Sequence, residues 1–201
     1  MQQKKRTTYH HGDAKNALLS AAAQLLEEVG AQRLSLRAIA GQAGLSHQAP
    51  YNHFANKEAL LAELVRKGFN ELKTAIQAVE GYPNDKKALK RAGAAYIEFA
   101  QAAPALFHLM FSRTYVDTSY FPETAQAADS SFQSLVNIIA AFAPAERVEE
   151  LALAAWCLVH GYATLSIELG FEEKQNNLQR AELFAALIKQ NALQCKSNTE
   201  H

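Results

Sequence analysis

Apolar residues recur along this chain at spacings of three and four, and strand-like alternation is nearly absent. That period places successive apolar side chains on one face of an α-helix. The first such stripe is Leu18, Ala22, Leu25 and Val29, in a helix expected from Asp13, as cap, to Val29, with Gly30 ending it. A short helix is expected from Leu36 to Ala43, capped by Ser35, with Ile39 and Ala40 facing inward, Gly44 stopping it and Leu45 plugging the turn. A second short helix should start at Ser46 or His47, because Pro50 fits only a first turn, where backbone N–H groups lack helical partners.

Asn56 then caps a long helix reaching the high seventies, with Leu60, Leu61, Leu64, Val65, Phe69 and Leu72 on its apolar side. Gly81-Tyr-Pro-Asn-Asp85 breaks it. Further helices are predicted over roughly 85–101, 104–113, 121–142, 145–169 and 177–193, with Pro104, Pro122 and Pro144 marking starts. The fold class is therefore all-α, about nine helices. A three-helix unit spans 9–55, a linking helix runs from 57, and a larger helical domain covers 80–195.

Composition agrees with this pattern. Among 201 residues there are only five prolines and nine glycines, and about half the chain is apolar, enough for a substantial core. The near-continuous apolar run Leu151–Leu169 contains His160, Thr164, Ser166 and Glu168, all costly in lipid. It reads as a helix buried in a core or at a subunit interface, with no membrane implied. The opening Met-Gln-Gln-Lys-Lys-Arg has no apolar stretch after it and does not read as a secretory signal. Cys157 sits in the apolar run and reads as an inert core residue. With Cys195 it makes no zinc or disulfide spacing, which fits a cytoplasmic location.

Formal charge is zero, but it is unevenly distributed. Residues 1–67 hold nine Lys/Arg against five acids; residues 68–201 hold eleven against fifteen. A basic head on an acidic body suits a polyanion partner. Enzyme signatures are missing: there is no Gly-x-Ser-x-Gly, no phosphate-cradling glycine loop and no His-Glu-x-x-His. The histidines lack partners at metal-ligand spacing, and no cofactor is expected.

Two short helices about a Gly-Leu-Ser turn make a helix-turn-helix, in which the second presents side chains to base edges in the major groove. Here those side chains are Ser46, His47, Gln48, Tyr51, Asn52 and His53, without a carboxylate among them. The segment Ser35-Leu-Arg-Ala-Ile-Ala-Gly-Gln-Ala-Gly-Leu-Ser46, then Tyr51-Asn-His-Phe54, then Asn56-Lys-Glu-Ala-Leu60, resembles the DNA-binding module of the tetracycline-repressor (TetR) family. Tyr9-His-His-Gly-Asp13, Pro104-Ala-Leu-Phe-His-Leu-Met-Phe111 and Trp156-x-x-x-His160-Gly161 are similar to one branch of it, with a WHG type of C-terminal domain. Ala49-Pro50 departs from the Thr-Leu or Ala-Leu that many members place before the tyrosine.

The resemblance implies a cytoplasmic, ligand-responsive transcriptional regulator, usually a repressor, that binds a pseudo-palindromic operator in double-stranded DNA as a homodimer. It implies phosphate contacts from Tyr51 and Lys57 and backbone contacts from Ser35 and Arg37. Gln48 is the candidate for base readout, through bidentate pairing with adenine. Lys4, Lys5 and Arg6 could trail along the DNA backbone or enter the minor groove. A small, largely apolar effector would sit among the middle helices, with Phe99, Phe107, Met110, Phe111, Tyr115, Tyr120, Phe132, Trp156, His160 and Tyr162 as candidate lining. The last two helices are the candidate dimer interface, with Ala152, Ala155 and Ala163 allowing close approach and Leu178, Leu183, Phe184, Leu187 and Ile188 as an apolar stripe.

Overall fold

The computed structural model describes residues 11–170 and 177–197. The basic tail 4–6 and the Tyr9 end of the opening motif lie outside them. Eight α-helices fill the described residues: α1 His11–Arg33, α2 Leu36–Gln42, α3 Lys57–Gln77, α4 Ala88–Ala102, α5 Pro104–Phe111, α6 Pro122–Ala140, α7 Val148–Leu169 and α8 Asn177–Ser197. Three short 3-10 turns join them: Ala49–Asn52, Thr118–Tyr120 and Ala145–Arg147.

The caps predicted at Ser35 and Asn56 form. Ser35 Oγ accepts from Ala38 N at 3.2 Å, and Asn56 Oδ1 accepts from Ala59 N at 2.8 Å, each satisfying an N–H that the first helical turn leaves open. Gly44 takes φ 67°, a left-handed conformation that suits glycine and ends α2. Gly30 leaves helical geometry (φ 74°, ψ 163°) where expected, although a further half-turn follows it. Two details of α1 differ from expectation. The helix starts at His11, so Asp13 lies within its first turn and is not the cap. Its buried face is Leu18, Leu19, Ala21, Ala22 and Leu26, while Val29 is exposed, because the Gly30 break turns the helix end away from the core.

The segment expected as a second short helix is a 3-10 turn. Ala49 N bonds to Ser46 O (2.9 Å), Tyr51 N to Gln48 O (3.2 Å) and His53 N to Pro50 O (3.0 Å), all three residues back. Pro50 has no N–H to continue a four-residue ladder and disfavours helix at Ala49. Its ring is fully buried and anchors the turn against the core.

α3 buries the whole predicted stripe, Leu60, Leu61, Leu64, Val65, Phe69 and Leu72, and packs most heavily on α6. A Cβ on Gly68 would come within 2.7 Å of Met110 Sδ, so a glycine here lets α5 lie against α3. α1 reaches α5 through one carboxylate: Ala105 N and Leu106 N donate to the two oxygens of Glu27, each at 3.0 Å. Glu27 thereby caps α5 from another helix. Residues 145–169 are long and apolar enough to cross a membrane by length and composition. Here α7 packs on α4, α6 and α8.

Candidate nucleic-acid interface and internal cavity

The helix-turn-helix presents an exposed polar surface built from the α2 start and the 3-10 turn. Ser35, Arg37, Ser46, His47, Gln48, Tyr51 and Asn52 are exposed, and Tyr51 keeps 56% of its surface accessible. Behind them Leu36, Ile39, Ala40, Pro50 and Phe54 are buried and fix the backbone. His53 is half-buried with its ring edge toward Phe54. Lys57 is held differently from its neighbours: Nζ donates to Ala31 O at 2.8 Å and to Gln32 O at 3.4 Å. These are carbonyls beyond the Gly30 break, so the ammonium braces α1 against α3. Below it, Glu63 bonds Arg66 (2.7 Å) and Lys15 (2.9 Å). Chiefly the Arg66 hydrogen bonds, and also Lys15, hold its carboxyl down to about 2.

A second site lies inside the helical body. A cavity of about 420 Å³ opens among α3, α4, α5, α6, α7 and α8. Of the predicted lining, Met110, Phe111, Phe132 and Trp156 border it. Phe99, Phe107, Tyr115 and His160 do not, nor do Tyr120 and Tyr162. Phe107 is 1% exposed, enclosed by the rings of Tyr96 (5.8 Å), Phe111 (5.1 Å) and His160 (5.2 Å). Tyr120 is 77% exposed. Tyr162 stacks edge-on against Phe184.

The residue that sequence reading missed is Tyr96. Trp156 Nε1 donates to its hydroxyl at 3.2 Å, and that hydroxyl lies 2.8 Å from His160 Nδ1. An indole N–H can only donate, so the phenol oxygen accepts from Trp156, and the same hydroxyl pairs with the imidazole of His160. Trp156 and His160, one turn apart on α7, thus grip one group on α4. Burial pushes the Tyr96 hydroxyl up, keeping it protonated. Burial also lowers the His160 pKa, as does the nearby charge of His108 to a lesser degree. The folded state therefore refuses a proton that the unfolded chain accepts below about 6.5. The thermal midpoint should fall as pH drops from about 7 toward 5, and the fall should be shallower in His160→Gln. Parallel profiles for the two proteins would remove His160 as the cause. Glu63 adds its own loss only below its ordinary carboxylate range.

Four polar side chains are buried among the described residues: Thr124, Ser131, Ser134 and Ser166. Thr124 donates to Ala62 O, Ser134 to Ser130 O and Ser166 to Ala163 O. Ser131, 5% exposed and bordering the cavity, bonds no described residue.

The outer sides of α7 and α8 carry leucines that the described residues leave exposed. They are Leu153, Leu165 and Leu169 on one helix and Leu183, Leu187 and Leu193 on the other. Cys157 is exposed too, contrary to its expected place in the core. Ala152, Ala155 and Ala163 point inward and are buried, as is Ile188, so the exposed leucines replace them as the candidate interface.

Residues 18–64 match the family described as bacterial regulatory proteins, tetR family, and residues 89–190 match the tetracyclin repressor-like C-terminal domain. An uncharacterized HTH-type transcriptional regulator of Bacillus subtilis, YerO, is 21% identical over 185 residues, covering 88% of this chain. The chain spans 63% of the length of that curated relative. Among solved structures, a Rhodococcus sp. RHA1 protein of unknown function superposes with TM-score 0.77 at 28% identity, covering 93% of this chain and 99% of that one. The TetR family transcriptional regulator PfmR from Thermus thermophilus gives TM-score 0.60 at 23% identity, covering 86% and 97%.

Proposed function

The chain belongs to the TetR family of bacterial transcriptional regulators, and from that premise we propose a cytoplasmic homodimeric repressor released from its operator by a small, largely apolar effector. The observation that most supports this reading is the pairing of two sites on shared helices. α3 starts under the exposed helix-turn-helix surface and passes along the cavity with Phe69, Leu72 and Ile76 in its wall. α5 borders the same cavity with Met110 and Phe111, while its first turn is capped by Glu27 of α1. An effector that displaces α5 or α3 therefore moves the DNA-facing unit. Such coupling is commonly about 1–3 kcal/mol, some 5–150-fold in affinity.

At the DNA, Gln48 reads bases, assisted by Ser46, His47, Asn52 and His53. Tyr51, Ser35 and Arg37 contact the phosphate backbone. Lys57 keeps its bonds to α1 and reaches a phosphate only with its remaining donor. Operators selected from a randomised library should show Gln48→Ala losing preference at one position per half-site, worth roughly 1–3 kcal/mol, with non-specific binding retained. An unchanged selected motif would exclude Gln48 as the reader. In the same assay, an effector that releases the protein must itself bind more weakly, by the same factor, when operator is saturating. Equal effector affinity with and without operator would overturn the release mechanism.

A further inference from the structure

The cavity wall has charges only at its exposed margin. Among the lining residues Arg113 and Asp129 are the charged ones; they lie at its solvent-facing edge and are opposite in sign. The enclosed part is hydrocarbon and aromatic ring, with Leu72, Ile76, Leu89, Val159 and Ile188 supplying much of it. An ionised group held there would be stripped of water with no counter-charge, which costs far more than one hydrogen bond returns.

Most polar side chains of that wall are either already engaged or, like Arg113, Thr118 and Asp129, not buried. The Tyr96 hydroxyl accepts from Trp156 and pairs with His160, so neither Tyr96 nor Trp156 offers a ligand its best donor. Ser112 Oγ accepts from Thr114 N. Ser131 is the exception: buried, against the cavity, and alone among the four buried polar side chains in having no partner among the described residues. Its Oγ is not among the sealed, unpartnered polar atoms, so it is open to the cavity and within reach of a molecule bound there.

We propose that the effector of this cavity is an uncharged, largely hydrocarbon molecule with one hydrogen-bonding oxygen, and that Ser131 is the residue that binds that oxygen. The proposal rests on the effector reading given above and narrows it to a chemical class: long-chain or aromatic alcohols, ketones, esters and their like, with carboxylates and ammonium ions excluded.

The test uses the full chain and 1,6-diphenylhexatriene, a fluorescent hydrocarbon with no hydrogen-bonding group. The dye should bind saturably and be displaced by 1-decanol. Decanoate and decylammonium, of equal chain length, should displace it at least about tenfold more weakly at neutral pH, on the order expected for burying an unpaired charge. Ser131→Ala should weaken decanol by about 3- to 10-fold, the range for one neutral hydrogen bond, while leaving dye affinity within about twofold. Ser131→Thr, which keeps the hydroxyl, should retain the preference for the alcohol. Unchanged dye binding by the alanine variant shows that the cavity has stayed intact. If the wild-type protein takes up no dye, the cavity reading itself falls. Equal displacement by decanol from wild type and Ser131→Ala would overturn the serine assignment alone. Decanoate matching decanol would overturn the uncharged class.

Discussion

Leu165→Glu and Leu183→Glu should each convert the protein to a monomer and lower operator affinity about 10²–10⁴-fold, the loss that follows when two linked binding events become separate ones. The two leucines are 47% and 52% exposed on the outer faces of α7 and α8, among other leucines left exposed by the described residues. A two-fold interface would bring each such position into the seam twice, so one substitution buries two unpaired carboxylates. Both side chains are about half exposed and neither belongs to the buried core, so helix content should change little by circular dichroism. Sedimentation equilibrium gives the mass, and a gel-shift titration gives the affinity. A variant that remains dimeric with full operator affinity would place the interface elsewhere on the surface.

Phe107→Ala should destabilise the protein by about 3–5 kcal/mol, the usual range for truncating an enclosed phenylalanine. The ring is 1% exposed and sits at the centre of the aromatic cluster, in contact with Tyr96, Phe111 and His160. Its loss leaves a void beside the internal cavity and loosens the packing around Tyr96. Urea denaturation would measure the effect. A loss under about 1 kcal/mol would mean the cluster collapses freely into the void, and that its packing is not what fixes α5.

Much of the DNA-facing unit is legible in the sequence because its determinants are local. Ser35 and Asn56 lie within three residues of the N–H groups they cap, and the α3 stripe follows from a single period. Pro50 reads as a constraint from sequence alone, but its full consequence needs the structure. Losing one donor in so short a segment leaves too few bonds for an α-helix, and three-residue bonding takes over. The cavity is less legible, for a different reason. An aromatic residue looks the same in sequence whether it faces a void or another ring, so Phe107 and His160 cannot be separated from Phe111 and Trp156 without their neighbours. Tyr96 escapes notice because its importance depends on two residues some sixty positions away. On α7 the periodicity marks the stripes, but it does not say which stripe meets α4 and which faces outward. The small residues Ala152, Ala155 and Ala163 face inward.

The 3-10 turn over Ala49–Asn52 also limits how much sequence one protomer can recognise. A tighter and shorter element offers fewer side chains at useful angles than a full recognition helix, which typically places about three or four. A short half-site recurs by chance throughout a chromosome, among some 10⁶–10⁹ competing positions. One head alone would therefore spend most of its time on decoys. In the proposed dimer, discrimination would come from the coincidence of two half-sites at one separation, about a helical turn or a multiple of it apart. For a reader of that kind, geometry is part of the message. On the proposed reading, an effector that altered the distance between the heads by a few ångströms would make the correct address unreadable, though every residue assigned to the bases stayed in place.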